Sequence, residues 1–346
     1  MRRAQLKVLE DLVMIPSPSG FEREIAQYII ANLKDLPVQV SQDREYNVSV
    51  VVPGKTDKVV MIDAHSDQLG FIIHNIDKNG LLSMSQLGWG DTQLASARDL
   101  VIHGERGKIH ATVNRQHSHL VEDEDDVRLL HMSEAIVDIG TRDMAEAERH
   151  VSIGDPITYP LSFNKMLNHC YSAAGMDDKA GCWILLQTIR RIAKGRMKPK
   201  PTLVFTFSAQ EESCSKWGPL IRKHKPDLFV EVDSTFATDW SYDDELQYIS
   251  GNCLLGRGPV IYRGLGIDKE YGRLAHNVAS ENKFHFQTLA VAEAETEINN
   301  AREGTPMIGI GIPLRNMHTP VEIISTIDLD LTVKILHKFL LSRKLA

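Results

Sequence analysis

Long apolar runs are missing from this chain. No stretch reaches the ~20 consecutive apolar residues that a bilayer-crossing helix needs, and residues 1–17 thread charges through their apolar positions, unlike a secretion signal. Cysteine is scarce, and Cys170, Cys182, Cys214 and Cys253 include no CxxC pair. That spacing suits thiols kept reduced better than a zinc ribbon or a disulfide framework. A basic excess is also absent. The net charge of −7 argues against a nucleic-acid partner, since binding phosphates requires positive charge. Internal repeats and low-complexity tracts are lacking too. These absences lead us to expect a cytoplasmic protein with neither a membrane nor a nucleic acid as partner.

What remains is an ordinary globular composition, 42% hydrophobic and 25% charged over 346 residues. That length accommodates one large α/β domain with a smaller one. Leu6, Leu9, Leu12 and Val13 recur at helical spacing, Pro16 to Gly20 breaks the pattern, and Phe21 to Leu33 resumes it. Val48–Val52 reads as a strand. Lys58–Ala64, a nearly continuous apolar run leading into His65-Ser66-Asp67, reads as a strand buried on both faces.

From about Gly70 to Asn164 the texture changes to short alternating segments separated by turn pairs, which predicts a small β-barrel or sandwich. The acidic run Glu122–Asp126 inside it reads as a solvated loop. Beyond Asn164 we expect a helix from Asp177 to about Lys194 and strand Thr202–Ser208. A helix near Lys216–His224 and strand Leu228–Val232, ending at Asp233, should follow. The remainder is read as strand Gln287–Ala292, a short helix near Ile298–Arg302, strand Met307–Ile312 and a final helix from about Leu329 to Leu341. The simplest organisation is an α/β domain, residues 1–69 and 165–346, with an all-β module, residues 70–164, inserted into it.

Candidate chemistry gathers where the predicted strands end, the place where open α/β sheets put their sites. His65 directly follows a strand, and Asp67, two residues on, can orient its imidazole. Asp177 and Asp178 open a helix, so one can bridge metals while the other caps. Glu211 and Glu212 follow Thr202–Ser208, so one can ligate while the other acts as a base. Asp233 and His318 close the set. Two divalent metals held by such residues could activate water for peptide hydrolysis. Taken singly, each residue also fits a helix cap or a loop, and spacing leaves both readings open.

The motifs nevertheless resemble, in order and over nearly the whole chain, the tetrahedral-aminopeptidase family, also called deblocking or glutamyl aminopeptidases and including proteins labelled cellulase M. The matching segments are Ala64–Phe71, Gly154–Tyr159, Ala173–Cys182, Gln210–Glu212, Glu231–Thr235, Gly256–Pro259 and Ile312–Glu322. The resemblance implies a zinc-aminopeptidase-like α/β/α sandwich with an inserted β-barrel. It implies that His65 and Asp233 bind one metal, Glu212 and His318 the other, and that Asp177 bridges them. Glu211 would be the general base and Asp67 would orient His65. Two zinc or cobalt ions, short peptide substrates with free N-termini, and a homo-oligomer between dimer and dodecamer follow from it as expectations.

Three segments depart from the family pattern: Ser213–Gly218, Ala294–Ile298 and Arg315–Thr319. None removes an expected ligand, so they bear on specificity. Arg315 and Lys216 are candidate cations for an acidic substrate, and Glu297 and Asp178 are candidates for holding the substrate amine. Two further readings stand beside the peptidase. One is a glycoside hydrolase working through paired carboxylates. The other is a non-catalytic assembly protein that keeps the metals as structural ions.

Overall fold

The computed structural model describes residues 2–115, 131–214, 217–240, 251–291 and 304–345. In chain order the strands begin with β1 (Gln39–Gln42), β2 (Val48–Val52) and β3 (Val59–His65). Six short ones follow: β4 (Gly70–Ile76), β5 (Leu82–Leu87), β6 (Asp99–Gly104), β7 (Gly107–Val113), β8 (Ile136–Asp138) and β9 (Pro156–Thr158). The rest are β10 (Asn164–Lys165), β11 (Cys170–Ala173), β12 (Thr202–Ser208), β13 (Leu228–Phe236), β14 (Val260–Ile261), β15 (Arg263–Gly264), β16 (Ala290–Val291), β17 (Met307–Arg315) and β18 (Glu322–Ser325).

The fold is α/β, a large mixed sheet joined to a closed barrel. The sheet runs β1-β2-β12-β3-β13-β17-β18-β11-β10, and its centre, β12-β3-β13-β17, is parallel. The barrel closes in the order β4-β5-β8-β7-β6-β9 around its own apolar cluster, which includes Phe71, Ile73, Leu100, Ile102 and Ile157. The strands between β3 and β9 build that second core, so the sheet and the barrel have separate apolar interiors.

Alternation along the central strands decides which face does what. Val60, Ile62 and Ala64 of β3, Leu203, Phe205 and Phe207 of β12, and Leu228, Val230 and Val232 of β13 point to one face. That face is covered by helices Arg3–Met14, Arg23–Ala31, Met176–Ala193, Lys269–Glu281 and Thr326–Leu340. On the opposite face Met61, Phe229 and Met307 pack against Trp217, Leu220 and Ile221 of helix Trp217–His224. The same alternation therefore leaves Asp63, His65, Glu231 and Asp233 together on that second face, towards the strands' C-terminal ends.

Several expectations need correction. β13 does not end at Asp233; it runs to Phe236, because Ser234 to Phe236 stay paired with Ile312 to Leu314 of β17. Likewise β17 extends to Arg315, not Ile312. The expected strand Gln287–Ala292 shrinks to Ala290–Val291, with Gln287 in an isolated bridge to Val260. Helix Lys269–Glu281, capped by Asp268, was not foreseen; its buried face is built on small residues such as Gly272, Ala275 and Ala279. The acidic run 122–126 and the helix near Ile298–Arg302 lie outside the described residues.

Phe205, fully buried in the larger core, is a site where truncation leaves a cavity that the surrounding sheet cannot close. Phe205→Ala is expected to cost about 3–5 kcal/mol, read as a fall in the midpoint of denaturant unfolding.

Candidate metal centre

His65 ends β3 and is 3% exposed. Its Nε2 lies 3.3 Å from Asp177 Oδ1 and 3.7 Å from Asp233 Oδ1. Asp177 arrives from the sheet's far side, where β11 turns through Ala174 and Gly175, the latter at φ +68°. Its other oxygen, Oδ2, stands 3.5 Å from His318 Nε2, which in turn is 3.5 Å from Glu212 Oε2. Two groups thus form, His65–Asp177–Asp233 and Asp177–Glu212–His318, with the facing atoms of each within 4.8 Å of one another. Asp177 belongs to both.

The surrounding backbone is fastened to hold this arrangement. Asp67, fully buried, accepts the Glu211 N–H on Oδ1 at 3.0 Å and the Glu212 N–H on Oδ2 at 3.1 Å. The same Oδ1 lies 3.3 Å from His65 Nδ1. One carboxylate therefore ties β3 to the turn that carries both glutamates. Gln210, at φ +61°, donates its N–H to Glu22 Oε1, which also receives the Gly20 N–H. Asp177 and Asp178 are joined by a cis peptide bond and have non-helical backbone angles. The helix proper therefore starts after Asp178, whose Oδ1 accepts the Gly181 N–H at 3.0 Å as its cap.

Glu322, at the start of β18, was missed from the sequence as a functional residue. It is 3% exposed, and it accepts the Asp177 N–H on Oε2 at 3.2 Å and the His318 N–H on Oε1 at 2.9 Å. The signal was available: an acid four residues beyond His318, closing the last matching segment. His318 itself sits at φ +60°, a left-handed conformation that a non-glycine residue holds only when its surroundings enforce it.

So many buried acids cannot all stay ionised by themselves. Burial pushes Glu211 up to about 8 and Asp233 up to about 7, and it holds Glu212, Glu231 and Glu322 well above the ordinary carboxylate range. For Asp177 burial acts in the same direction, but hydrogen bonds with His318 and His65 override it and keep the carboxyl low. Positive charge placed among these groups would restore their ionisation. Imidazole nitrogens mixed with carboxylate oxygens form the donor set of zinc and its first-row neighbours, so the residues present fit a divalent pair. A cavity of about 30 Å³, room for one or two waters, borders Asp177, Glu212 and His318. A larger one of about 460 Å³, between the Pro16–Glu24 segment and the barrel, contains none of these groups.

Arg315, a candidate substrate contact, is engaged by Asp239 through two hydrogen bonds of 2.8 Å. Asp178 is fully buried behind the site. Glu297 and Lys216 lie outside the described residues.

Comparison with known proteins adds a second line of information. A sequence model of the family described as M42 glutamyl aminopeptidase matches residues 47–335. A putative aminopeptidase of Acetivibrio thermocellus is 28% identical over 337 residues, 95% of this chain and 96% of its own length. Among solved structures, a TET aminopeptidase from a marine-sediment thaumarchaeon superposes with a TM-score of 0.92 at 22% identity, covering 98% of this chain and 96% of that one. The TET1 peptidase of Pyrococcus horikoshii, described as assembling into a tetrahedron or a large octahedral shell, superposes with a TM-score of 0.87 at 23% identity, covering 98% and 99%.

Removing the Glu322 carboxylate strands a buried N–H on Asp177, at about 1–3 kcal/mol. Thermal denaturation should show Glu322→Ala melting below wild type, with Glu322→Gln, which keeps one carbonyl acceptor, falling between them.

Proposed function

This chain belongs to the M42 glutamyl aminopeptidase family, and we propose that it is a dinuclear metal-dependent aminopeptidase acting on short peptides. The observation that carries this reading is the sharing of Asp177 between two histidine–carboxylate groups. In it His65 and Asp233 would hold one ion and Glu212 and His318 the other, with Asp177 available to both. Zinc or cobalt suits these donors. When bound, the ions supply the acidity that makes water nucleophilic at neutral pH and a sink for the charge of the tetrahedral intermediate.

The chain's own residues do the rest. Glu211, anchored through its N–H to Asp67, takes a proton from the attacking water and returns it to the leaving amine as the peptide bond breaks. To act as a base it must be ionised, and positive charge at the neighbouring ligands draws its raised pKa back down. Asp67 orients His65 while fixing the turn that places Glu211 and Glu212, so the base and a ligand move together or not at all. The two imidazoles set this reading above glycoside hydrolysis, where paired acids suffice and His65 and His318 would have no task. Glu211 sets it above a purely structural metal site, which needs no base.

We further propose that residues 1–69 and 165–346 form the catalytic domain, and that the barrel, residues 70–164, serves assembly into a homo-oligomer. The shell described for the Pyrococcus horikoshii protein and the separate core of the barrel support this. In the described residues no helix is long and apolar enough to cross a membrane. The four free cysteines accord with a reducing, cytoplasmic setting.

Two experiments test this. Hydrolysis of short peptides should disappear on chelation and return with Zn²⁺ or Co²⁺; activity indifferent to chelation would overturn the metal assignment. Glu211→Gln should retain the metals by elemental analysis and lose about 10²–10⁴-fold in kcat. Turnover near wild type in that variant would remove Glu211 as the base.

A further inference from the structure

The loop after β5 reads Gly88-Trp89-Gly90-Asp91, and it lies directly against the metal centre. A Cβ at Gly88, which sits at φ +85°, would come within 2.3 Å of Leu69 Cδ2 and 3.2 Å of Glu212 Cβ. One at Gly90 would lie 3.2 Å from Leu69 Cδ1 and 3.7 Å from the His318 carbonyl oxygen. Both glycines are therefore the means by which a barrel loop approaches two ligand-bearing segments. The approach is fixed at its end: Gln86 Nε2 donates to the Gly90 carbonyl at 2.8 Å, and Asp91 Oδ1 accepts the Gln93 N–H at 2.9 Å.

Trp89, between the two glycines, is used in two ways. Its backbone is held against the ligand-bearing segments by the glycines on either side, while its side chain is 84% exposed. A tryptophan held on a braced loop beside a reaction centre, with its indole left in water, offers apolar area at little entropic cost to whatever covers it. The adjoining cavity carries the same character, since Leu69 and Tyr159 line it next to Asp177, Glu212 and His318. Leu69, packed under both glycines, joins that wall to the loop.

Building on the aminopeptidase reading, we propose that Trp89 contacts the substrate and determines specificity, its indole forming with Leu69 and Tyr159 an apolar wall for a large apolar or aromatic side chain of the bound peptide. The loop approaches Glu212 and His318 through Gly88 and Gly90, so the Trp89 side chain can be removed without disturbing the ligand set.

The test uses the metal-loaded enzyme, with Trp89→Ala and Trp89→Phe compared with wild type on two tripeptide series, X-Ala-Ala and Ala-X-Ala, where X is Phe, Leu, Ala or Lys. Trp89→Ala should raise KM about 5- to 20-fold for X = Phe and Leu in one series. It should leave kcat and the Ala and Lys peptides nearly unchanged, and Trp89→Phe should recover most of the loss. Metal content and assembly size should match wild type. Binding is measured in parallel by calorimetry, with a Phe-Ala-Ala analogue whose first peptide bond is reduced to CH₂–NH. It should weaken by the same factor in Trp89→Ala, and this reading does not depend on turnover. Equal losses for all X, no change in either assay, or a fall in assembly size with loss of activity would overturn the assignment; the last would make the indole a contact between copies of this chain. Failure of wild type to cleave any peptide would instead count against the aminopeptidase reading.

Discussion

A concentration of buried and half-buried carboxylates at the C-terminal edge of the parallel strands is the constraint on which the rest of this structure depends. Asp177, Glu212, Asp233 and Glu211 gather around two imidazoles; burial acts upward on all four and leaves three of them raised, Asp177 being held low by its histidines. Like charges so close together destabilise a fold unless backbone donors and cations are arranged around them. The chain spends a set of further buried acids on that task. Asp67 and Glu322 each accept two backbone N–H groups from segments that carry the cluster, and Glu22 braces the turn before Glu211. Asp63, one register position back, receives hydrogen bonds from Thr206, Ser208 and the Trp217 indole.

That arrangement explains the division of the sheet. One face is given to aliphatic and aromatic packing against five helices, and its burial sustains the domain. The other is closed near the strand starts by the small cluster around Trp217, and its far half is left for polar chemistry. Because side chains alternate, a one-residue slip of β3 against β12 or β13 would put His65 and Asp63 into the apolar core. Stability and site geometry therefore depend on the same register.

Legibility in the sequence followed the same physics. β2 and β12 were readable to the residue, because continuous β-branched and aromatic runs bounded by breakers mark strands buried on both faces. The short barrel strands were readable from turn pairs. β1, exposed throughout, and β18, of four residues, carry too little pattern to be seen alone. His65, Asp177, Glu212 and His318 could be named as candidates because each lies at the edge of a recognisable element, Asp233 because its strand was read as ending there, and the family resemblance turned open alternatives into a ligand scheme. Trp89 could not, since the part proposed for it comes from a barrel loop reaching back to His318, whose carbonyl oxygen lies 3.7 Å from where a Cβ on Gly90 would be. Glu322 works through backbone groups, which leave no side-chain signature in sequence.

The central claim is that two metal ions share Asp177. It is tested most directly by anomalous-difference maps of crystals grown with Zn²⁺ or Co²⁺, recorded at the absorption edge of the metal. The account predicts two peaks per subunit, one bounded by His65 and Asp233, the other by Glu212 and His318, with an Asp177 oxygen towards each. A single peak, or peaks only at sites away from Asp177, would contradict it.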